Sequence, residues 1–451
     1  MSRRAVVVGG GLAGVTAALR LADAGCAVTL LESRPRLGGL THSFRRGELD
    51  VDNGQHVFLR CCTHYRALLD RLGVSGDTVL QPRLDVPVVR ASDARRARLR
   101  RDPFPAPLHL ARSLATYGVL SPRQRLQAVR AAMALRRVDR DAPDIDDVAF
   151  GAWLTRHGQS APAIDALWDL VGVATLNAPA SQAALSLAAT VFQVGLLDEA
   201  DAADIGWSSI PLQRLHGDAA ERALTKAGAH VIAKAKALEV QPIGHEWLVR
   251  STAGDVVADG VVVATDPVTA EGLLPPGSLD RPAGWSTRLG MSPIVNVHVV
   301  LDRQVLHEPF VAGVGTPVQW VFDRTGQSGL ASGQYLAVSL SAAQAWIDRP
   351  SADVLGEILP ALRALLPAMA GAEVRDAFVT RERAATFAPR PGTAADRPGQ
   401  RTAVPGLVLA GAWTDTGWPA TMEGAVRSGT AAAQALLSEL TGPTVREGVA
   451  A

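Results

Sequence analysis

An α/β protein with a second, interleaved α+β domain is the fold class that this 451-residue sequence predicts. Three observations predict it. The apolar run Ala5–Val8 leads into a glycine turn, an amphipathic stretch and a second apolar run closing on Glu32, in the order strand, turn, helix, strand. Near the other end, residues 407–436 repeat the theme with an apolar strand, Gly411, a loop and a helix from Met422. Between them the pattern breaks twice, into proline-bounded helices and then into a set of separate strands. A chain of this length exceeds one ordinary core, so two domains assembled from several segments are expected.

Taken in order, residues 1–85, 206–285 and 388–440 read as one discontinuous α/β domain. Its middle part holds a helix over Leu212–Ala227, strands around His230–Ile232, Ala237–Val240 and Trp247–Ser251, and the apolar run Val261–Ala264. Residues 86–205 and 286–387 read as the inserted α+β domain. The first insert begins with a short β pair, VPVVRASDARRARLRR, and continues with helical stretches PAPLHLARSLATYGVL and SPRQRLQAVRAAMALRRV. Pro105 and Pro107 stand just before the first of these helices, where proline is tolerated. The second insert carries strands at 294–302, 317–324 and 334–341, which suggest a mixed sheet, and a helix over Ala352–Leu366. Residues 441–451 read as a flexible tail.

Composition narrows the class. Hydrophobic content of 47% with 20% charge suits a globular protein, and a net charge of +1 predicts no nucleic-acid partner. Lysine occurs only at Lys226, Lys234 and Lys236, so the remaining basic residues are arginine, a bias that codon usage explains. Cys26, Cys61 and Cys62 form neither a disulfide framework nor a C-x-x-C metal pair; no metal is expected, and a reducing, cytoplasmic setting fits. None of the three lies near the C-terminal motif in sequence. The opening MSRRAVVVGGG imitates a signal peptide, but Ala5–Val8 is too short for an apolar core of about 7–15 residues. No uncharged apolar run reaches the ~18 residues that a bilayer span needs.

The turn itself reads Gly9-x-Gly11-x-x-Gly14, with Leu12 and Ala13 opening the helix. In such turns the first glycine makes the bend, the second lets backbone approach a diphosphate, and the third packs helix on strand. Glu32 falls 18 residues after Gly14, where an acid accepts hydrogen bonds from a ribose hydroxyl. Arg36 and Gly38-Gly39 follow at once. A dinucleotide site is therefore expected.

This E-x-x-x-R-x-G-G arrangement resembles the FAD-binding amine oxidase and phytoene desaturase superfamily, as does the closing Met422-Glu423-Gly424-Ala425 helix start. The resemblance implies FAD, with Arg36, Gly38 and Gly39 at the phosphates and ribityl chain, and with no cysteine near the C-terminal motif in sequence the FAD is expected to be non-covalent. It also implies that Gly411, Met422 and Glu423 lie at the flavin pyrimidine, where a helix N-terminus of about +0.5 charge stabilises the reduced anion. Asn53, Gly54 and Gln55 would lie along the isoalloxazine, and the Ala237 backbone would meet the adenine.

Six fragments narrow the resemblance further: DNGQH, PAPLHL, SPIVNVHV, VQWVFDR, the ATF of 385–387 and GWPATMEGAVRSG. Together they resemble hydroxysqualene dehydroxylases over roughly residues 4–437. Ala412 departs from the pattern, since many relatives carry aspartate there. Amine oxidation is disfavoured by Thr421, where monoamine oxidases place an aromatic, and by the absence of any lysine after Lys236. No second GxGxxG is present, so an external electron donor is expected. The implied reaction is reductive removal of an allylic hydroxyl from hydroxysqualene, a long isoprenoid; a carotenoid-type desaturase or isomerase is the alternative.

Hydroxide is a poor leaving group, so the reaction needs a general acid. His56 is the first candidate, against the reading that it only hydrogen-bonds flavin or backbone. Asp415 is the second, against the reading that it caps a turn. Asp52 is expected to bond backbone. Between Arg90 and Arg140 stand 13 arginines and three acids among leucines Leu108, Leu110, Leu114 and Leu120 by the notation of this chain. Such a basic amphipathic segment suits the inner face of an anionic membrane; codon bias on a solvated helix is the competing explanation.

Overall fold

The computed structural model describes residues 3–441. The tail expected from residue 441 falls outside them, apart from Thr441, which closes the last helix.

Parallel strands buried on both faces read as continuous apolar runs; the first sheet has five parallel strands, of which the edge strand His230–Ala233 is part-exposed. They lie in the order His230–Ala233, Ala27–Glu32, Arg4–Val8, Gly260–Val263 and Leu407–Leu409. All four pairings are parallel. Counted along the chain, the order is 3-2-1-4-5, that of doubly wound dinucleotide-binding sheets. A three-stranded antiparallel meander, Ala237–Ile243, Glu246–Ser251 and Val256–Ala258, stands beside it.

The two ends of the chain meet on this sheet. Helix Leu12–Asp23 and helix Met422–Thr441 share one apolar cluster, in which Val15, Ala18 and Leu19 pack with Val426, Ala433 and Leu436. Their approach is so close that a Cβ on Gly429 would lie 2.2 Å from the Ala13 carbonyl oxygen. The opposite sheet face, with Val6, Val8, Leu31, Val261 and Leu409, packs on Trp247, Trp285 and Trp413 and on the helices of residues 131–197.

A seven-stranded sheet forms the second layer. Its order is Val374–Phe387, Met291–Leu301, Gln334–Leu340, Trp320–Asp323, Phe310–Val314, Asp85–Arg90 and Arg95–Arg100. Only the Phe310–Val314 to Asp85–Arg90 pairing is parallel. One face buries Val295, Val297, Val299, Leu336 and Val338 against Ile358 and Leu362 of helix Ser351–Leu365. The sequence reading omitted the strand Val374–Phe387. That strand is half-buried along most of its length and carries Arg375, Asp376, Arg381, Glu382 and Arg383. A charged sheet edge resists further pairing, and the same charges erase the alternation by which strands are recognised.

Candidate functional site

The glycine turn separates what packing requires from what a ligand requires. Gly9 has φ +109°, and a Cβ there would lie 2.5 Å from the Ala264 carbonyl oxygen. On Gly14 a Cβ would lie 1.9 Å from the Gly9 carbonyl oxygen. Gly11 differs. Its φ of −74° suits any residue, and a Cβ would meet only the Gly39 Cα, at 3.9 Å. Nothing in the polypeptide demands glycine there. The space it leaves lies at the start of helix Leu12–Asp23, whose first turn carries no acidic residue and no side-chain cap. The amides of Leu12 and Ala13 are thus the unsatisfied donors of a helix N-terminus beside an open cradle, the arrangement that binds a diphosphate.

Glu32 closes its strand with a buried carboxylate. One oxygen accepts from the Gly10 amide at 2.7 Å and the other from the Arg34 amide at 2.7 Å. The Ala235 amide donates to the Glu32 carbonyl at 2.8 Å, which brings the buried Ala237 alongside. Arg36 makes a single long bond, 3.4 Å to the Gly39 carbonyl. Burial, helped by Arg34, pushes its pKa below the usual arginine range. A partly dehydrated cation without a carboxylate partner among the described residues is a site for an anion. Gly38 and Gly39, at φ +103° and +57°, fold the backbone over it. Cradle, acid and unpaired cation fit FAD.

The hairpin Ser43–Arg46 and Leu49–Asp52 delivers the Asn53–His56 loop. Asp52 anchors it. One carboxylate oxygen accepts from the Leu212 amide at 3.0 Å and the Ser43 hydroxyl at 2.6 Å, and the other pairs with Arg324. Backbone bonding was expected of Asp52; the buried ion pair was not. Arg324 ends VQWVFDR and Asp52 begins DNGQH, so two of the narrower motifs meet in one salt bridge. Asn53 bonds the Leu40 carbonyl and Glu382, both at 3.4 Å.

Half-buried His56 follows. Its Nδ1 lies 3.1 Å from the Gly54 carbonyl oxygen, so Nδ1 carries the hydrogen and Nε2 the lone pair. Burial lowers its pKa, outweighing the Gly54 bond and the Asp52 charge, and holds the ring neutral. His42 is lowered to about 4 by burial and by Arg36. The Gln55 side-chain amide is buried without a partner.

At the C-terminal motif two candidate residues are engaged within the protein. The Glu423 side chain is one. It is fully buried and accepts from the Tyr65 amide at 2.8 Å and the His64 amide at 3.3 Å, at the start of helix Thr63–Leu72, and it pairs with Arg427 at 2.7 Å. A carboxylate at a helix N-terminus is stabilised there. Asp415 is more than half exposed and accepts from the Gly417 amide at 3.1 Å. Its other partners are Pro398, Gln400 and Arg397, none in the His56 loop. It caps its own turn.

Trp413 and Arg397 escaped sequence reading, and Gly411 and the paired cysteines gain partners that it did not show. Gly411, at φ +154°, would carry a Cβ 2.3 Å from the Trp413 ring, and Trp413 donates to the Thr265 carbonyl at 2.9 Å. Buried Arg397 donates to the carbonyls of Trp413, Thr414 and Trp418 at 3.3, 2.6 and 2.8 Å, and burial lowers its pKa to about 10. It holds the loop before the last helix, yet it is one arginine among many in the sequence. Cys61 and Cys62, remote from the C-terminal motif in sequence, come beside Glu423 in space and are free thiols. The Cys61 contact and burial push the Cys62 thiol up.

Among the described residues no helix is long and apolar enough to cross a membrane. Within 90–140, Phe104, Leu108, Leu126 and Val129 are exposed.

The hydroxysqualene dehydroxylase of Rhodopseudomonas palustris is 28% identical over 97% of this chain and 99% of that protein. That of Sinorhizobium fredii is 27% identical over the same shares. The chloroplastic/chromoplastic zeta-carotene desaturase of Zea mays is 23% identical over 94% of this chain and 82% of that protein. In fold, the chain is similar to putrescine oxidase bound to putrescine, at a TM-score of 0.72 and 20% identity over 97% of this chain and 99% of that one. It is also similar to cyclohexylamine oxidase from Brevibacterium oxydans, at a TM-score of 0.71 and 17% identity over 98% and 100% of the two chains. The model of the flavin containing amine oxidoreductases matches residues 12–437, and the chain belongs to that family of flavin-dependent oxidoreductases.

Proposed function

We propose that this protein removes the allylic hydroxyl of hydroxysqualene reductively, giving squalene for hopanoid or related isoprenoid synthesis. The observation that carries the reading is the near full-length likeness to two hydroxysqualene dehydroxylases. Atoms and electrons balance: the C–O bond breaks, a hydride forms the new C–H bond, and hydroxide leaves as water after one proton is delivered. Non-covalently bound FAD, once reduced by an external donor, supplies that hydride. The residues that would hold it are Gly9, Gly11, Leu12, Ala13 and Gly14 at the diphosphate, Glu32 at the ribose, and Ala237 at the adenine. Arg36, Gly38 and Gly39 would hold the phosphates and ribityl chain, and Asn53–Gln55 with the backbone of Gly411 and Met422 the ring system.

His56 delivers the proton. The resting ring is neutral with its hydrogen on Nδ1, so it first takes up a proton at Nε2, the nitrogen that the Gly54 bond leaves free, and its lowered pKa then makes it a strong acid. A positioned acid is worth about 10²–10⁴ in rate. Residues 1–85, 206–285 and 388–440 serve as the FAD domain, and 86–205 with 286–387 as the substrate domain. Exposed Phe104 and Leu108 among arginines suit docking on the inner face of the cytoplasmic membrane, from which a thirty-carbon substrate must be drawn. Flotation with anionic liposomes at low salt tests this, and protein left at the bottom contradicts it.

The likeness to the maize zeta-carotene desaturase favours a second reading, oxidation of a polyene. Two anaerobic incubations separate them: reduced protein with hydroxysqualene, and oxidised protein with zeta-carotene. Squalene from the first alone supports the dehydroxylase; desaturated carotenoid from the second overturns it.

A further inference from the structure

The face of the seven-stranded sheet opposite helix Ser351–Leu365 carries polar as well as apolar side chains, and that of His298 is engaged, by Tyr335 and Thr380. Asn296 pairs across strands with Ser339, and Ser339 with Trp320, so all three side chains rise from this same face. Their strand neighbours Val295, Val297, Val338 and Val321 point the other way, into the apolar cluster under the sheet.

Asn296 is fully buried. Its Nδ2 donates to the Asn53 carbonyl at 3.4 Å, which fixes the amide orientation and turns Oδ1 away, and that oxygen has no hydrogen-bond partner. Ser339, on a central strand flanked on both sides, is nevertheless partly exposed, while its strand neighbours Val338 and Leu340 are completely covered. Open space therefore lies over Ser339. No side-chain hydrogen bond of Ser339 is found among the described residues, in contrast to Ser292, whose hydroxyl donates to the Asn177 carbonyl at 2.7 Å. The same patch borders the flavin-side loop, because a Cβ on Gly54 would lie 3.8 Å from the Asn296 amide and 3.3 Å from the His56 ring.

A buried acceptor without a partner is costly unless something satisfies it, and the open hydroxyl of Ser339 stands across the strand pair from it. We infer that Asn296 and Ser339 recognise the substrate's hydroxyl oxygen, Ser339 meeting it from the open space and Asn296 completing the hydrogen-bond chain behind. The pair selects an alcohol against a hydrocarbon of the same length. A site built to bond a hydroxyl discriminates strongly against the analogue that lacks it, because its own polar groups are then left unpaired. This assignment rests on the dehydroxylase reading and gives it a specificity determinant.

The test uses the oxidised, FAD-loaded protein, which binds alcohol without turning it over. Dissociation constants for hydroxysqualene and squalene are read from the perturbation of the flavin spectrum, for wild type, Ser339→Ala and Asn296→Leu. Wild type should prefer the alcohol at least tenfold. Each variant should lower that ratio about fivefold or more while its squalene affinity stays within twofold. Ser339→Ala removes one oxygen atom and keeps the test valid if Asn296→Leu fails to fold. Equal affinities in wild type, or ratios unchanged in Ser339→Ala, overturn the assignment. A strong preference for the alcohol without squalene formation by reduced protein leaves the hydroxyl site standing and removes the dehydroxylase reading instead.

Discussion

Replacing Arg324 by methionine should destabilise the protein out of proportion to the loss of one surface-type ion pair. The Arg324 and Asp52 side chains are only 8% and 5% exposed. Without the guanidinium, the Asp52 carboxylate keeps only the Leu212 amide and the Ser43 hydroxyl. Breaking one side of a buried pair costs about 3–5 kcal/mol, because the remaining charge stays in a poorly hydrated place. Asp52→Asn strands the cation in turn, which then keeps the Ser208 carbonyl at 3.5 Å. The double variant removes both charges and should lose less than the two single losses added. A coupling energy of at least about 2 kcal/mol is expected. Urea unfolding of all four proteins supplies the cycle, and FAD titration of the same set shows whether the Asn53–His56 loop loosens. Additivity within about 0.5 kcal/mol would refute the claim that this pair ties the two motifs together.

Three other expectations follow from the geometry. Gly11→Val should leave far-UV circular dichroism and melting nearly unchanged but abolish the yellow colour, whereas Gly14→Val should fail to fold, since only the latter collides with backbone. Buried His216 and His298 have pKa values lowered to about 3, so the fold keeps both rings neutral. An unfolded imidazole takes up a proton below about pH 6.5, so stability should be constant above that pH and fall as pH drops from there toward 3. Urea midpoints at pH 8, 6.5 and 5 check this, and His298→Gln should show a shallower fall. Finally, His56→Ala should slow substrate-dependent flavin reoxidation at least tenfold; stopped-flow absorbance reads it, and an unchanged rate removes the histidine from the mechanism.

The Rossmann turn was legible because its constraints are local. Gly9 is dictated by its φ, Gly14 by backbone contact a few residues away, and Glu32 by one strand length. The strands at 294–302 and 334–341 were legible because one face is uniformly apolar; Val374–Phe387 was not, because an edge strand answers to solvent on both sides. Side-chain destinations were the least readable. Glu423 belongs to a motif, yet its partner is a helix 358 residues away, and nothing near Arg324 in sequence signals Asp52. Cys61 and Cys62 show the same limit: distance along the chain said nothing about their position beside Glu423.

Turnover in deuterium oxide tests the central claim most directly. Photoreduced protein is mixed anaerobically with hydroxysqualene in D2O, and the product is weighed by mass spectrometry. Flavin-bound hydrogen that exchanges with solvent should reappear as one deuterium in squalene, at the carbon that bore the hydroxyl, with one squalene formed per flavin reoxidised. Flavin that stays reduced, or squalene without the label, would contradict the account.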